Sequence, residues 1–229
     1  IYSMMINTGT GGTTSHEDFG QKGYDIMNDF LSGDLALTAN NYNRYGTFVN
    51  FLATVDYANN SNYIPWRYYY RVIRSANLVI KSLGGNDAVP ESASGKHSLG
   101  QAKALRAYAY FYLTQMYAPE YNAGATVLPV YKDSDDPVQA QATMQEVYDF
   151  MIEDLSSAIT LLDGFDRPSK TKINKDVAKA LLAYVYASKD ESASNLLAKN
   201  LADEVIASGY PLTTSSQAVG GFYNLATPS

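Results

Sequence analysis

Residues 34–62 gather side chains that could recognise a ligand: Asn40, Asn41, Tyr42, Arg44, Tyr45, Tyr57, Asn59 and Asn60. Tyrosine offers a flat apolar face with a hydroxyl at its edge, and amides and a guanidinium carry paired hydrogen-bonding groups. This mixture suits a ring with an apolar side and neighbouring hydroxyls, as a saccharide has. Asn41, Tyr42, Arg44, Tyr45, Tyr57 and Asn60 are the candidate binding residues. The competing reading makes them turn and packing residues in a long connection. Loops carry function more often than cores do, which keeps the first reading open.

Other chemistry is poorly supplied. Asp133, Asp135 and Asp136 could offer oxygens to a hard cation, yet the glycine and terminal glutamate of an EF-hand loop are missing, so a solvated acidic turn is the better reading. His16 and His97 stand outside any spaced ligand motif, which disfavours zinc. Glycoside hydrolysis needs two carboxylates facing each other roughly 5 to 9.5 Å apart, and Glu153 and Asp154, adjacent on a helix, diverge. Gly9, Gly11 and Gly12 lack the strand-to-helix setting of a phosphate loop. A binding protein without enzymatic activity, metal or cofactor is expected.

Composition narrows the class further. The 229 residues, 46% hydrophobic, are enough to bury a sizeable core. A net charge of -6 and the lack of any basic block remove the term that supplies most nucleic-acid affinity, so no nucleic-acid partner is expected. Without cysteine there is no disulfide or thiolate site. No apolar run approaches the roughly 20 residues that span a bilayer. The chain opens on Ile1, which leads us to expect a removed upstream segment. Its 20 tyrosines against one tryptophan suit either wet binding surfaces or helix packing.

The elements that must position these residues read as helices. Residues 9–14 form a flexible glycine-rich lead-in to a helix over 17–31, starting near Ser15 or His16. Pro65 is placed to open the next helix, with Trp66, Tyr69, Tyr70, Ile73, Asn77 and Ile80 on its apolar face and Gly84 and Gly85 as its stop. Trp66 on that stripe reads as core rather than as a stacking platform. A polar connector over 86–97 precedes a tyrosine-rich helix over 99–119, whose stripe is Ala102, Leu105, Ala109, Tyr112, Leu113 and Met116. Arg106 lies beside that stripe, and a buried arginine demands a carboxylate from elsewhere in the chain. Residues 120–142 read as a long loop. Thr143 and Glu146 make a capping-box signature for a helix to Leu162. Asn174 can cap the next helix, and a last one, carrying Leu197, Leu201, Val205 and Ile206, stops at Gly209 and Pro211. The fold class is therefore all-α, with tetratricopeptide-like antiparallel helix pairs and long irregular loops.

Several of these segments together resemble the SusD/RagB family of glycan-binding outer-membrane lipoproteins of Bacteroidetes. Residues 66–77, WRYYYRVIRSAN, are similar to the family's W-x-x-x-Y-x-x-I-x-x-A-N helix, and residues 102–113, AKALRAYAYFYL, to its A-x-x-L-R-A-Y-x-Y-F-x-L helix. Leu128-Pro129, Val147-Tyr148 with Asp154-Leu155, residues 179–186 and the 205–212 ending also fit, in the family's order, so the resemblance covers residues 17–212. The run over 118–126 is longer than the family's usual form.

The resemblance implies non-catalytic capture of an oligosaccharide or polysaccharide at the cell surface. Delivery would be to a SusC-like TonB-dependent outer-membrane transporter, and the lipid anchor would lie on a cysteine upstream of Ile1. It also implies that residues 1–229 are a single N-terminal helical domain of a longer protein, since members run to about twice this length. In that family the segment after the first helix contributes to the glycan site, which coincides with residues 34–62. A different reading of the paired helices is a tetratricopeptide-like scaffold that binds a protein and no sugar. A glycosidase fragment is a third and weaker one.

Overall fold

The structure is a computed structural model, described for residues 1–39, 42 and 44–220; candidate Asn41 lies outside these. Its helices are α1 (Gln21–Ser32), α2 (Gly46–Val49), α3 (Leu52–Val55), α4 (Asn60–Ser82), α5 (Ala93–Tyr117), α6 (Met144–Leu161), α7 (Lys175–Ala187), α8 (Ser192–Ala207) and α9 (Ser215–Gly220). A short sheet joins β1 (Thr126–Pro129) to β2 (Gln141–Thr143). The chain is all-α in class, and none of the described helices is long and apolar enough to cross a membrane. It forms two compact units, Ile1–Ser75 and Ala76–Ser229.

In the first unit a buried carboxylate organises the N-terminal loop. Asp18, 1% exposed, accepts from Gly11 N at 2.8 Å, from Thr13 N and Oγ1 at 3.0 Å each, and from the Tyr24 hydroxyl at 3.0 Å. The glycine run is thus a tied loop rather than the flexible lead-in expected. A Cβ on Gly11 would stand 2.4 Å from Ile64 Cγ2, and one on Gly12 would stand 2.5 Å from the Arg67 guanidinium carbon. With Asp18 turned back to that loop, α1 starts only after Gly20, later than the sequence suggested. Tyr24, Tyr68 and Tyr69 pack together, with Tyr24 4.7 Å from Tyr68 and 6.1 Å from Tyr69 between ring centres.

Helix α4 begins at Asn60, five residues before the proline expected to open it. Asn59 explains the shift, since its side chain accepts from Ser61 N at 2.9 Å and its carbonyl from Asn62 N at 3.0 Å. Pro65 then sits inside the helix and is buried. Trp66 is half-buried and pairs with Tyr70 at 4.9 Å, so it stands at the edge of the core rather than within it.

In the second unit α6 packs on α5 and on α7, and α7 packs on α8, so each helix is covered by its neighbours in sequence. Helix α5 starts earlier than its apolar period suggested, capped by Ser92 Oγ accepting from Gly95 N. Its stripe is also far wider than the three/four spacing implied, with Leu99, Ala102, Ala104, Leu105, Ala107, Ala109, Tyr110 and Leu113 all buried. Gly100 permits the close approach of α6, for a Cβ there would lie 2.9 Å from Leu162 Cγ. The stretch read as a loop contains the antiparallel pair β1–β2, in register Leu128 with Ala142 and Pro129 with Gln141. Leu128 is fully buried, which pins the hairpin to the helices. At β2 the capping box forms as expected: Thr143 Oγ1 accepts from Glu146 N at 3.2 Å while the Glu146 carboxylate accepts from Thr143 N at 2.8 Å.

Arg106 is 0% exposed and every one of its five N–H donors is used. Nε and Nη2 donate to the two oxygens of Asp154 on α6 at 2.7 and 2.8 Å. The other bonds run from Nη1 to Asn77 Oδ1 at 2.7 Å and the Lys132 carbonyl at 3.0 Å, and from Nη2 to Asn86 Oδ1 at 2.6 Å. The Phe150 ring covers the guanidinium at 4.7 Å. Asn77 and Asn86 in turn donate to the carbonyls of Tyr131 and Lys132, each at 3.0 Å, so the segment after β1 is held by its main chain.

Removing Arg106 strands the buried Asp154 carboxylate. Arg106→Ala is expected to cost about 3 to 5 kcal/mol in urea unfolding, and the joint change to Met at 106 and Leu at 154 to recover part of that loss. A smaller effect is expected at the capping box. The Thr143 N–H and hydroxyl hold the Glu146 carboxyl below its usual range, so its contribution is complete above the ordinary carboxylate pKa and is lost as pH falls through the lowered folded value. Thr143→Ala removes the hydroxyl's share of this box, so the unfolding midpoint should fall near neutral pH, and the gap from the parent should narrow as pH drops below the ordinary carboxylate range.

Candidate functional site

The segment that precedes α4 is irregular for a physical reason. Tyr42, Tyr45 and Phe51 all have positive φ, at 62°, 61° and 56°, a left-handed backbone that bulky residues rarely adopt. Tyr45 and Phe51 stand before the one-turn helices α2 and α3, so each strained residue redirects the chain into a short turn. Such strain persists only where the surroundings over-determine it. Part of that determination is the Tyr45 ring, which lies 5.2 Å from Phe30 and 6.4 Å from Phe48. Burial, with the Glu17 charge in second place, pushes the Tyr45 hydroxyl above its ordinary pKa.

The candidates divide by what they present. Tyr42 is 90% exposed and Arg44 lies over its ring at 5.4 Å, while the Arg44 guanidinium reaches His16 Nε2 at 3.2 Å. Since arginine only donates, that contact makes Nε2 the acceptor. Tyr57, 97% exposed, stands on the turn between α3 and α4, and Asn60 is the exposed first residue of α4. The structure therefore joins Tyr42 to Arg44, and places Tyr57 and Asn60 on one turn. Tyr45 belongs to the aromatic packing with Phe30 and Phe48. Phe51, Leu52 and Val55 add exposed apolar surface, at 54%, 54% and 80%.

Sequence reasoning missed four contributors. His16 partners Arg44 from 28 residues away, which no local pattern reveals. Tyr63 and Arg67 form a pair on the exposed side of α4, with Arg67 Nη1 donating to the Tyr63 hydroxyl at 2.7 Å and lying over the ring at 5.8 Å. Their i, i+4 spacing was a usable signal once the helix is known to start before Pro65. Asn62 is the fourth, and its amide nitrogen donates to the carbonyls of Ala53 and Asp56 at 2.7 Å each. Together with Asp56 Oδ1, which accepts from Ala58 N at 3.0 Å, it clasps the turn that displays Tyr57.

The residues weighed for other chemistry have other engagements. Asp136 accepts from the N–H groups of Lys132 and Asp133 at 2.6 and 2.9 Å, and Lys81 pairs with Asp133 at 3.5 Å and with Asp135. Among the described residues no cluster of His, Cys, Asp or Glu is arranged to hold a metal. His97 packs on Phe165 at 4.8 Å. Glu153 is exposed while its neighbour Asp154 is committed to Arg106.

With this geometry in place, comparison with known proteins gives the class. Residues 24–187 match the family model for SusD-like proteins described as starch-binding and associating with the outer membrane, and the chain belongs to that family. The family is thus described by what its members bind, a carbohydrate. A SusD-like protein of Bacteroides ovatus is 28% identical over 191 residues, which cover 79% of this chain and 33% of that one. The crystal structure of a SusD-like carbohydrate-binding protein from Bacteroides vulgatus superposes with a TM-score of 0.84 at 24% identity, covering 99% of this chain and 46% of that one. A laminarin-binding SusD-like protein superposes with a TM-score of 0.55 at 27% identity over 74% of this chain and 34% of its own. The chain thus spans between a third and a half of the length of these relatives.

The clasp can be checked directly. Asn62→Ala removes two side-chain bonds to main chain and is expected to lower stability by about 1 to 2 kcal/mol. Limited proteolysis should then cut between residues 53 and 58 faster than in the parent.

Proposed function

We propose that this chain binds glycan through the segment spanning residues 42–63, as a non-catalytic capture component at the outer-membrane surface that passes its ligand to a SusC-like TonB-dependent transporter. The observation that carries this reading is the display of Tyr42 and Tyr57, 90% and 97% exposed, on a backbone tied down by Asn62 and Tyr45. Exposed rings on a tied backbone do little for the core, and they are preorganised to stack on sugar rings. Arg44 and Asn60 supply donors and acceptors for hydroxyls beside those rings, and Asn41 is proposed with them. Membership of a starch-binding family and the likeness to a laminarin-binding protein support the ligand class.

Calorimetry and affinity electrophoresis against starch, laminarin and xyloglucan test the reading. Tyr42→Ala and Tyr57→Ala should each weaken binding of the best ligand about fivefold to tenfold, equivalent to about 1 kcal/mol, without moving the unfolding midpoint. Parent-like binding of all three by both variants would remove the segment from the site.

A second reading is a scaffold that docks a protein and no sugar. It draws on the exposed apolar residues of α8, with Leu196, Leu197 and Ile206 59%, 46% and 75% exposed. Co-purification from native membranes separates the two, since a transporter barrel supports the first and a soluble partner the second.

A further inference from the structure

A cleft of about 450 Å³ opens within the unit Ala76–Ser229, and none of its lining residues belongs to the segment described above. That volume lies in the range of small-molecule sites. Its walls are the last turn of α5 with the chain that follows it, the first turns of α6, and the turn joining α7 to α8.

The lining is polar and mixed in sign. Tyr148, 2% exposed, shares a hydrogen bond with Ser188 Oγ at 3.0 Å. The Gln115 amide nitrogen reaches the Tyr148 hydroxyl at 3.5 Å and Thr114 Oγ1 at 3.4 Å. Both contacts are at the outer limit of hydrogen bonding, so a ligand oxygen would pair with that amide better than its present neighbours do. The Lys189 side chain is 12% exposed, pairs with Glu191 at 3.3 Å and lies over the Tyr121 ring at 4.9 Å. Glu120 and Asp190 are exposed carboxylates on the same cleft, and Asp190 has a φ of 50° in the α7–α8 turn.

These groups select by elimination. Two carboxylates oppose an anion, no cluster among the described residues is arranged to hold a metal cation, and the polar lining offers an apolar molecule little. A neutral ligand rich in hydroxyls fits, because each hydroxyl can donate to Glu120 or Asp190 and accept from Gln115 or Lys189. We infer that this cleft is a second saccharide site, for a neutral mono- or disaccharide, distinct from residues 42–63. It stands on the cleft's own chemistry and does not require the segment to bind glycan.

The test is an NMR titration of the full ¹⁵N-labelled chain with glucose, xylose and laminaribiose, taken to about ten millimolar to register affinities in the millimolar range. Shifts are expected at the amides of Gln115, Ser188 and Lys189, unchanged when Tyr42 and Tyr57 are both replaced by alanine. In Gln115→Ala and Asp190→Asn the same titration should be at least about fivefold weaker; asparagine keeps the tolerance for left-handed backbone needed at 190. No shift at those amides with any of the three sugars would overturn the inference, as would shifts confined to residues 42–63 or shifts identical in both cleft variants. Binding at the cleft alone would uphold it and count against the segment.

Discussion

One guanidinium sets the assembly of the unit Ala76–Ser229. A buried arginine is tolerable only if its charge is neutralised and its donors are filled, and the acceptors that do this for Arg106 come from α4, the α4–α5 connector, α6 and the chain after β1. The requirement is planar and directional, so these segments must meet at one set of angles. A lysine, with a point charge on a flexible stem, would not impose that. Once the charge is satisfied internally, α5 can be buried on nearly every side, which is why its buried surface is wider than the stripe read from spacing.

The first unit solves a similar problem with the opposite sign. Asp18 is a buried anion held by neutral donors from a glycine-bearing loop and from Tyr24. In both units, burial of one ionised side chain organises nearby irregular chain. The segment that displays Tyr42 and Tyr57 is built differently. Its order comes from positive-φ turns, an asparagine clasp and one inward tyrosine, which leaves Tyr42 and Tyr57 facing solvent. Stability and recognition therefore rest on different side chains.

Local signals made much of the helical framework legible. The Thr143 and Glu146 pair, the Asn174 cap and the Gly209 stop are each encoded within a few residues, and each stands in the structure. The need of Arg106 for a carboxylate was readable from the cost of burying charge, but its identity was not, because Asp154 lies 48 residues away. Boundaries failed where two local signals competed: Pro65 looked like a helix start, and the Asn59 cap took precedence. Strands of four and three residues are too short to show a period of two. In the candidate segment, residue types suggested a chemistry, while the division between the inward Tyr45 and the outward Tyr42 and Tyr57 depends on backbone angles that no periodicity encodes.

The way residues 131 and 132 are gripped bears on how such a protein can change over generations. Arg106, Asn77 and Asn86 hold them through carbonyl oxygens, and the Tyr110 hydroxyl accepts from the Tyr131 N–H at 2.8 Å. Main-chain atoms are the same whatever amino acid carries them. The anchor thus makes little demand on side-chain identity at either position, and beyond the acidic turn held by Asp136 and Lys81 the connection to β2 can lengthen, shorten or exchange residues while the helices beneath keep their places. Variation among relatives should collect in that connection, with the four polar side chains that hold its root the slowest to change.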